Sequence, residues 1–235
     1  MWTAAFGSQV ATLVATNITI TSGVGTVELT RVLWGDVILC SGQSNMGIPD
    51  SYILNSTAVI AAAETIGRSV RLLRVASGDG QATTPQTNVT LQLAWAHATP
   101  ATVASFSAVC WTFALNLAYQ RAAEFGAAGR PLGLVMTEAG GTPVEAWMSK
   151  ESAAQCPGVP ATAGCDNTGN ITSGLFNQQI APLQGMTFKL AIWYQGESNA
   201  LWDQYPADSH TDESYTCAST ALGANALERT TAGVG

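Results

Sequence analysis

Residues 35–46 read GDVILCSGQSNM, and this stretch decides the fold. Val37–Cys40 is a short apolar run typical of a buried strand, and small and polar residues follow it directly. Similar apolar runs recur at 70–75, 132–136 and 188–194, and helical patterns alternate with them. This alternation predicts an α/β fold with a parallel sheet covered on both faces.

The segments between these runs are less uniform. Helical periodicity is clearest in 106–126, and helices are also predicted over 56–66 and 171–183. Residues 83–99 are rich in Thr and Gln, and the pattern there assigns no element. Residues 9–33 alternate between apolar and polar side chains with Gly-rich breaks, which predicts short β-runs of a separate module.

Three polar, glycine-bearing motifs follow three of the predicted strands: SGQSN, GGT and QGESN. In parallel sheets, ligands bind outside the carboxyl ends of the strands. We therefore expect these three loops to meet in one site.

Ser44 is the first candidate residue of that site. A serine at a strand end is exposed, and the free N–H groups of a following helix are able to stabilise an oxyanion. The same position suits a helix cap, so the local motif leaves nucleophile and cap as equal alternatives. The motif lacks the second glycine of G-x-S-x-G, which argues against a nucleophile elbow of the α/β-hydrolase type.

The other two loops supply candidate donors and an acid. Gly140 and Gly141 offer backbone N–H groups close to a substrate, and a tight turn is the structural alternative. The amides of Gln195 and Asn199 are candidate oxyanion donors. Glu197 either orients a histidine or holds the loops together, with the second role slightly favoured.

Residues next to these motifs are candidates for the substrate pocket. They are Gln43, Asn45, Thr142, Glu145 and Trp147. For Trp147, packing in the core and lining a sugar-sized pocket are both open.

A general base is not evident. The two histidines are His97 and His210, and neither is assigned a catalytic role because both lie in poorly defined or polar loop segments. Two histidines without C-x-x-C or H-E-x-x-H spacing predict no metal site, and no cofactor is expected.

Composition narrows the function classes. The formal net charge is −7 and charged residues are 11%, which argues against a nucleic-acid partner. Apolar residues are 47%, but no run is long enough for a membrane span. A small-molecule or glycan substrate is the expected partner.

Cysteines and glycosylation motifs suggest a compartment. Four N-x-S/T sequons, at Asn17, Asn55, Asn88 and Asn170, favour a glycoprotein of the secretory route, although the first residues show no signal-peptide pattern. The chain has five cysteines, so at least one is unpaired within it. Cys156 and Cys165 are predicted to close a small disulfide loop. Cys40 and Cys110, in apolar runs, are predicted to be buried thiols.

GDVILCSGQSNM, EAGGTPVEAW and AIWYQGESNA together resemble the sialate O-acetylesterase family, whose members are SGNH-type hydrolases with a SASA domain. The resemblance covers roughly residues 30–217 and implies a three-layer, flavodoxin-like parallel sheet. It also implies three regions: the end of an N-terminal β-module at 1–33, an incomplete hydrolase domain at 34–217 and an atypical tail at 218–235.

The implied reaction is removal of O-acetyl groups from sialic acids through a serine acyl-enzyme, in an extracellular or lysosomal setting. Ser44 matches the family's nucleophile, and Gly141 or Gly140 its oxyanion glycine. Gln195 and Asn199 lie in the third block, where Glu197 matches a proposed triad acid.

One departure weakens this expectation. The family's catalytic histidine lies in an Asp-x-x-His block after QGESN, and no such spacing follows Asn199 here, since Asp208-Ser209-His210 is one residue short. We therefore expect a chain truncated near Cys217 with little esterase activity of its own. The alternatives are an inactive fragment that only binds carbohydrate, and an acetylxylan-type esterase.

Overall fold

The computed structural model describes residues 6–78, 80–122, 130–155 and 173–200. Its strands are β1 (Thr12–Ser22), β2 (Gly25–Trp34), β3 (Asp36–Gly42), β4 (Val70–Val75), β5 (Leu91–His97), β6 (Leu132–Glu138) and β7 (Leu190–Tyr194). Five of them form the central sheet in the order β5-β4-β6-β3-β7. β4, β6, β3 and β7 run parallel, and β5 is antiparallel to β4 at one edge. The predicted α/β fold is confirmed.

Short helices connect the strands. They are α1 (Ser44–Gly47), α2 (Ser56–Ala61), α3 (Ala63–Ile66), α4 (Pro100–Ala104), α5 (Ala108–Gln120), α6 (Lys150–Ala153) and α7 (Glu197–Ala200). 3₁₀ turns occupy Asp50–Tyr52, Val144–Trp147 and Ala181–Leu183, and a π-helix spans Phe176–Ile180. None of the helices in the described part of the chain has the length and hydropathy that crossing a bilayer requires.

The sheet separates two apolar layers. On one face, Met46 of α1, Ile66 of α3 and Trp111 of α5 pack against alternate residues of the strands, such as Leu72 and Leu134. On the other face, the intervening residues Val75 and Val135 pack against Leu183 and Phe188. Strand side chains alternate between faces with period two, so β4 and β6 contribute buried apolar residues to both layers.

α5 is the main helix of the first layer. Ser107 caps it, because its side chain accepts a hydrogen bond from the backbone N–H of Cys110 at 3.1 Å. Trp111 is fully buried, and its indole N–H donates to the Val59 carbonyl at 3.0 Å, which ties α5 to α2. Satisfying the indole donor allows such a large side chain to sit in the core.

β1 and β2 form an antiparallel hairpin outside the central sheet. The chain reverses at Gly23 and Val24, within the predicted Gly-rich break. The prediction of β-runs over 9–33 is thus confirmed, although they form two long strands.

The predicted elements differ from the observed ones in three places. Residues 91–97, which the sequence pattern left unassigned, form β5. The predicted helix over 56–66 is split into α2 and α3. A helix is predicted over 171–183, and the structure describes this segment from residue 173. The backbone there forms the π-helix at Phe176–Ile180 and then the 3₁₀ turn at Ala181–Leu183, which contains Pro182.

The prediction that Cys40 and Cys110 are thiols is wrong. Both are fully buried as expected, but they form a disulfide that joins β3 to α5, with Cα atoms 5.9 Å apart. The packing of α5 on the sheet brings the two side chains to bonding distance, and this proximity across 70 residues is not visible in sequence. The predicted Cys156–Cys165 loop lies outside the described residues.

Candidate active site

The three polar loops lie at neighbouring strand ends. β3 is hydrogen-bonded to β6 on one side and β7 on the other, so SGQSN is flanked by GGT and QGESN. Side chains of SGQSN and QGESN hydrogen-bond across the loops, and the GGT loop takes part through the backbone carbonyl of Thr142. Their predicted convergence is therefore observed.

Ser44 is the first residue of α1, directly beyond the end of β3. Its side chain is exposed, and its hydroxyl has no hydrogen-bond partner among the described residues. The N-cap position belongs to Gln43, whose backbone is extended, so the cap alternative for Ser44 is wrong. An exposed hydroxyl beside the first N–H groups of a helix leaves the nucleophile alternative for Ser44.

Gln43 holds the first loop to the third. It is 3% exposed, and its Oε1 accepts hydrogen bonds from the backbone N–H groups of Gly196 and Ser198, both at 3.3 Å. Its own N–H donates to the Tyr194 carbonyl at 3.0 Å. The side-chain oxygen of Gln43 therefore already accepts two hydrogen bonds from the third loop.

Gly42 makes this close approach feasible. Its φ is +147°, and a Cβ placed on it would lie 2.0 Å from the Tyr194 carbonyl oxygen. Only glycine fits both the conformation and the space, so SGQSN turns sharply against β7.

The GGT loop approaches the nucleophile candidate closely. A Cβ on Gly140 would lie 3.4 Å from the Cβ of Ser44, and Gly141 has a φ of +71°. Thr142 is buried, and its hydroxyl donates to the Ala139 carbonyl at 2.8 Å while accepting from the Trp147 indole at 2.9 Å. The loop is therefore internally fixed with its glycine backbone beside Ser44.

Trp147 is a core residue with a small exposed edge. It is 6% exposed and contacts Trp193 edge-on, with ring centroids 5.6 Å apart. Both indoles line a surface cavity of about 650 Å³ that Ser44 does not line. The core alternative describes Trp147 better than the sugar-pocket alternative.

The candidate oxyanion amides connect the second and third loops. Gln195 Nε2 donates to the Thr142 carbonyl at 3.2 Å and to Asn199 Oδ1 at 2.6 Å. Asn199 Oδ1 also accepts from the Val144 N–H, and its Nδ2 donates to Glu145 Oε2, both at 2.9 Å. Both N–H bonds of the Gln195 amide and one of the Asn199 amide are used in this network.

Glu197 bonds to the first loop. Asn45 Nδ2 donates to its Oε1, while its Oε2 is buried without a hydrogen-bond partner in the described part of the chain. This contact supports the loop-holding alternative for Glu197. The three loops are thus joined by hydrogen bonds of four amide side chains, those of Gln43, Asn45, Gln195 and Asn199.

His97 does not lie at the site. His97 ends β5, which runs antiparallel to β4, and it lies opposite Arg71 near the start of that strand. Ser44 follows the carboxyl ends of the parallel strands, whereas His97 lies beside their amino ends. His210 lies outside the described residues.

An ion pair beside the site was not predicted. Glu138, the last residue of β6, is 8% exposed and bonds through Oε1 to Arg74 Nη2 at 3.0 Å. Arg74 also donates to the Ser105 carbonyl at 2.9 Å. A Cβ on Gly47 would lie 2.9 Å from the Glu138 carboxyl carbon, so this carboxylate supports α1. The only indication of this ion pair in the sequence is the position of Glu138, a charged residue directly after the apolar run of β6.

Asp50 is a second missed feature. It is fully buried, and neither of its carboxyl oxygens has a hydrogen-bond partner among the described residues. Burial raises the pKa of Asp50 from 3.8 to about 7, because the apolar surroundings disfavour the charged form.

The fold and the three loops were compared with those of known proteins. No protein-family model matches the chain. Among solved structures, a carbohydrate acetylesterase from Xanthomonas citri is 32% identical with a TM-score of 0.61, and the match covers 77% of this chain and 37% of that one. The α/β fold is therefore that of a carbohydrate acetylesterase, consistent with an SGNH-like sheet.

Curated relatives are more specific. The sialate O-acetylesterases of Pongo abelii and Homo sapiens are each 34% identical over 207 residues, which is 84% of this chain and 36% of theirs. The Rattus norvegicus sialate O-acetylesterase is 31% identical over 76% of this chain. The chain is thus a relative of the sialate O-acetylesterases, as its motifs predict, and it spans about a third of their length.

Proposed function

We propose that the protein to which this chain belongs is a serine carbohydrate esterase that removes O-acetyl groups from sialic acids, with Ser44 as nucleophile. The observation that carries the proposal is the exposed, unbonded Ser44 hydroxyl at the junction of three hydrogen-bonded loops. The names of the relatives, sialate O-acetylesterase and carbohydrate acetylesterase, support the reaction class.

In the proposed reaction, the Ser44 oxygen attacks the acetyl carbonyl and its proton passes to a general base. The sugar hydroxyl leaves with a proton, and water then hydrolyses the acetyl-serine to acetate. Negative charge develops on the carbonyl oxygen in both steps, so pre-placed N–H donors stabilise both transition states.

We assign the oxyanion site to backbone N–H groups of Ser44 and of Gly140 or Gly141. The close approach of Gly140 to Ser44 supports this assignment. Gln195 and Asn199 act in this proposal mainly by holding the GGT loop in place, because their amides already bond to Thr142, Val144 and Glu145. Glu197 holds Asn45 in the same way.

The base is the missing part of the described site. His97 is at the far edge of the sheet, so the described residues bring no histidine to Ser44. We therefore also propose that the 235-residue chain alone has little esterase activity, since a serine without its base retains only oxyanion and binding effects. Carbohydrate binding without turnover is the second candidate function of this chain.

The proposed setting is the secretory route, either extracellular or lysosomal. The buried Cys40–Cys110 disulfide and the four sequons support it, because disulfides persist mainly in oxidising compartments.

A substrate panel with chemical rescue tests these proposals together. Acetate release is measured from O-acetylated sialic acid and from acetylxylan, using the full-length protein and this chain, each with and without imidazole. We expect the full-length protein to prefer the sialic acid, and the chain to become active only with imidazole. A preference for acetylxylan contradicts the substrate, and imidazole acceleration that persists in Ser44→Ala contradicts the nucleophile.

A further inference from the structure

A row of residues crosses four strands at the edge of the sheet remote from Ser44. Val37 of β3 lies opposite Gly133 of β6, Gly133 lies opposite Arg71 of β4, and Arg71 lies opposite His97 of β5. Neighbours at matching positions of paired strands point to the same face. Arg71 and His97 therefore project together from this face.

Trp95 forms one wall of the depression above this row. It precedes His97 by two residues, so it shares the same face of β5. A Cβ on Gly133 would lie 3.1 Å from the Trp95 indole, which means that the ring lies over the glycine. Trp95 is 46% exposed, so part of its side chain is open to solvent.

Arg31 enters from the β-hairpin. The pairing of β1 with β2 shifts between Thr16 and Ile18, so Thr30 and Arg31 form a bulge opposite Asn17. Arg31 has a φ of +56°, a costly conformation for an arginine, and its N–H donates to Asn17 Oδ1 at 3.0 Å. Bulges re-aim side chains, and this one adds a second arginine to the groove, beside Arg71.

The charges of Arg31 and Arg71 repel each other and disfavour protonation of His97. Burial first, and then the charges of Arg71 and Arg31, lower the pKa of His97, and burial and Arg31 lower the pKa of Arg71. Of the two acids that line the groove, Asp36 pairs with Arg121 and Arg130. Glu28 accepts from Asn17 and forms no ion pair within the described residues.

The groove has the size of a small ligand. These residues line a cavity of about 490 Å³ between the hairpin and the sheet. We propose that it binds an anionic sugar, with the carboxylate between Arg31 and Arg71 and one face of the ring against Trp95. A guanidinium pair matches a carboxylate, and an open indole supplies an apolar platform.

This site is separate from the candidate esterase site. The groove lies at the start of β3 and Ser44 lies beyond its end, a span of roughly 20 Å at about 3.3 Å per residue. The proposal therefore does not depend on ester hydrolysis, and it is tested by binding alone.

Binding is tested on the full chain with D-glucuronate, with D-glucose as the matched neutral sugar and with inorganic phosphate. Calorimetry gives the affinities, and proton NMR gives the pKa of His97, assigned with a His210→Gln variant. We expect glucuronate to raise the pKa of His97, because a bound carboxylate stabilises the imidazolium. Glucose should bind at least about 10-fold more weakly.

Two variants and a control decide the outcome. Arg71→Gln should weaken glucuronate binding about 10-fold or more and raise the pKa of His97 in the free protein, since a repelling charge is removed. Trp95→Ala should weaken glucuronate more than phosphate. Arg68→Gln, an exposed charge outside the groove, should change neither quantity.

Three results overturn the proposal. One is an unchanged His97 pKa at tens of millimolar glucuronate. Another is phosphate binding as tight as glucuronate binding and insensitive to Trp95→Ala, which would assign the groove to small inorganic anions. The third is loss of binding in Arg68→Gln equal to that in Arg71→Gln, which would indicate only a general effect of net charge.

Discussion

At the scale of single residues, the sequence pattern left Ser44 as either a helix cap or a nucleophile, and the structure gives the cap position to Gln43. Gln43 occupies the N-cap position and holds the third loop through its side chain, while Ser44 keeps an unbonded hydroxyl. The motif SGQSNM predicts the strand end and the serine. It does not reveal the partner of Gln43, because Ser198 is remote in sequence.

Gln43→Ala should destabilise the protein. Removing Oε1 leaves the N–H groups of Gly196 and Ser198 without their acceptor, which costs about 1–3 kcal/mol for buried donors. Urea unfolding followed by circular dichroism measures the change. Gln184→Ala, at an exposed position, should stay within about 0.5 kcal/mol of the wild type. Equal stabilities of the two variants would contradict the role of Gln43.

Asp50 should make stability depend on pH. Because its folded-state pKa is about 7 rather than 3.8, the folded protein holds a proton that the unfolded chain releases over that interval. The free energy of unfolding therefore falls as pH rises from about 4 to about 7 and then levels off, by an amount on the order of a few kcal/mol.

Asp50→Asn removes this titration. The variant should be more stable than the wild type at pH 8 and should lose most of the decline between pH 5 and pH 8, as measured by urea unfolding at each pH. The same decline in both proteins would show that Asp50 is not its source.

At the scale of elements, the parallel strands were predictable and the edge strand was not. β4 coincides with the predicted strand at 70–75, since its apolar residues Val70, Leu72, Leu73 and Val75 are buried on both faces of the sheet. β5 is an edge strand with mixed side chains in LQLAWAH, and its alternation is short and surrounded by Thr and Gln. Its antiparallel pairing with β4 is a tertiary fact that the local pattern does not contain.

The candidate site shows the same division. The three loops were predictable because each follows an apolar run, and parallel strands present their carboxyl ends at one edge. The hydrogen bonds of Gln195 and Asn199 to the GGT loop were not, since they depend on the order of β6, β3 and β7 in the sheet. Asp50 and the Glu138–Arg74 pair were missed for the same reason.

The disulfide between β3 and α5 should be a major contributor to stability. Closing a loop across 70 residues restricts the unfolded chain by about 4 kcal/mol in the chain-entropy account. The double variant Cys40→Ala/Cys110→Ala should lower the free energy of unfolding by an amount of this order. Dithiothreitol should destabilise the wild type more than the variant, and equal sensitivity of both would contradict the bond.

At the scale of the whole molecule, β7 forms one edge of the central sheet. No other strand of the described chain pairs with its outer side, and Leu190, Trp193 and Tyr194 are 37%, 44% and 44% exposed. An exposed apolar edge strand favours association with other chains. We expect the chain to self-associate with rising concentration in analytical ultracentrifugation.

A charge on this edge should oppose association. Ala191→Lys, on an exposed position of β7, should shift the distribution toward monomer, whereas Ala61→Lys, on an exposed position of α2, should not. Association unaffected by either change would place the contact elsewhere on the molecule.

Ser44→Ala in the full-length protein tests the central claim most directly. The measurement is kcat/KM for acetyl-ester hydrolysis by the wild type, by Ser44→Ala and by Ser51→Ala, an exposed serine that bonds to none of the three loops. The account predicts a loss of at least about 1,000-fold in Ser44→Ala and near wild-type activity in Ser51→Ala. Undiminished hydrolysis in Ser44→Ala would contradict it.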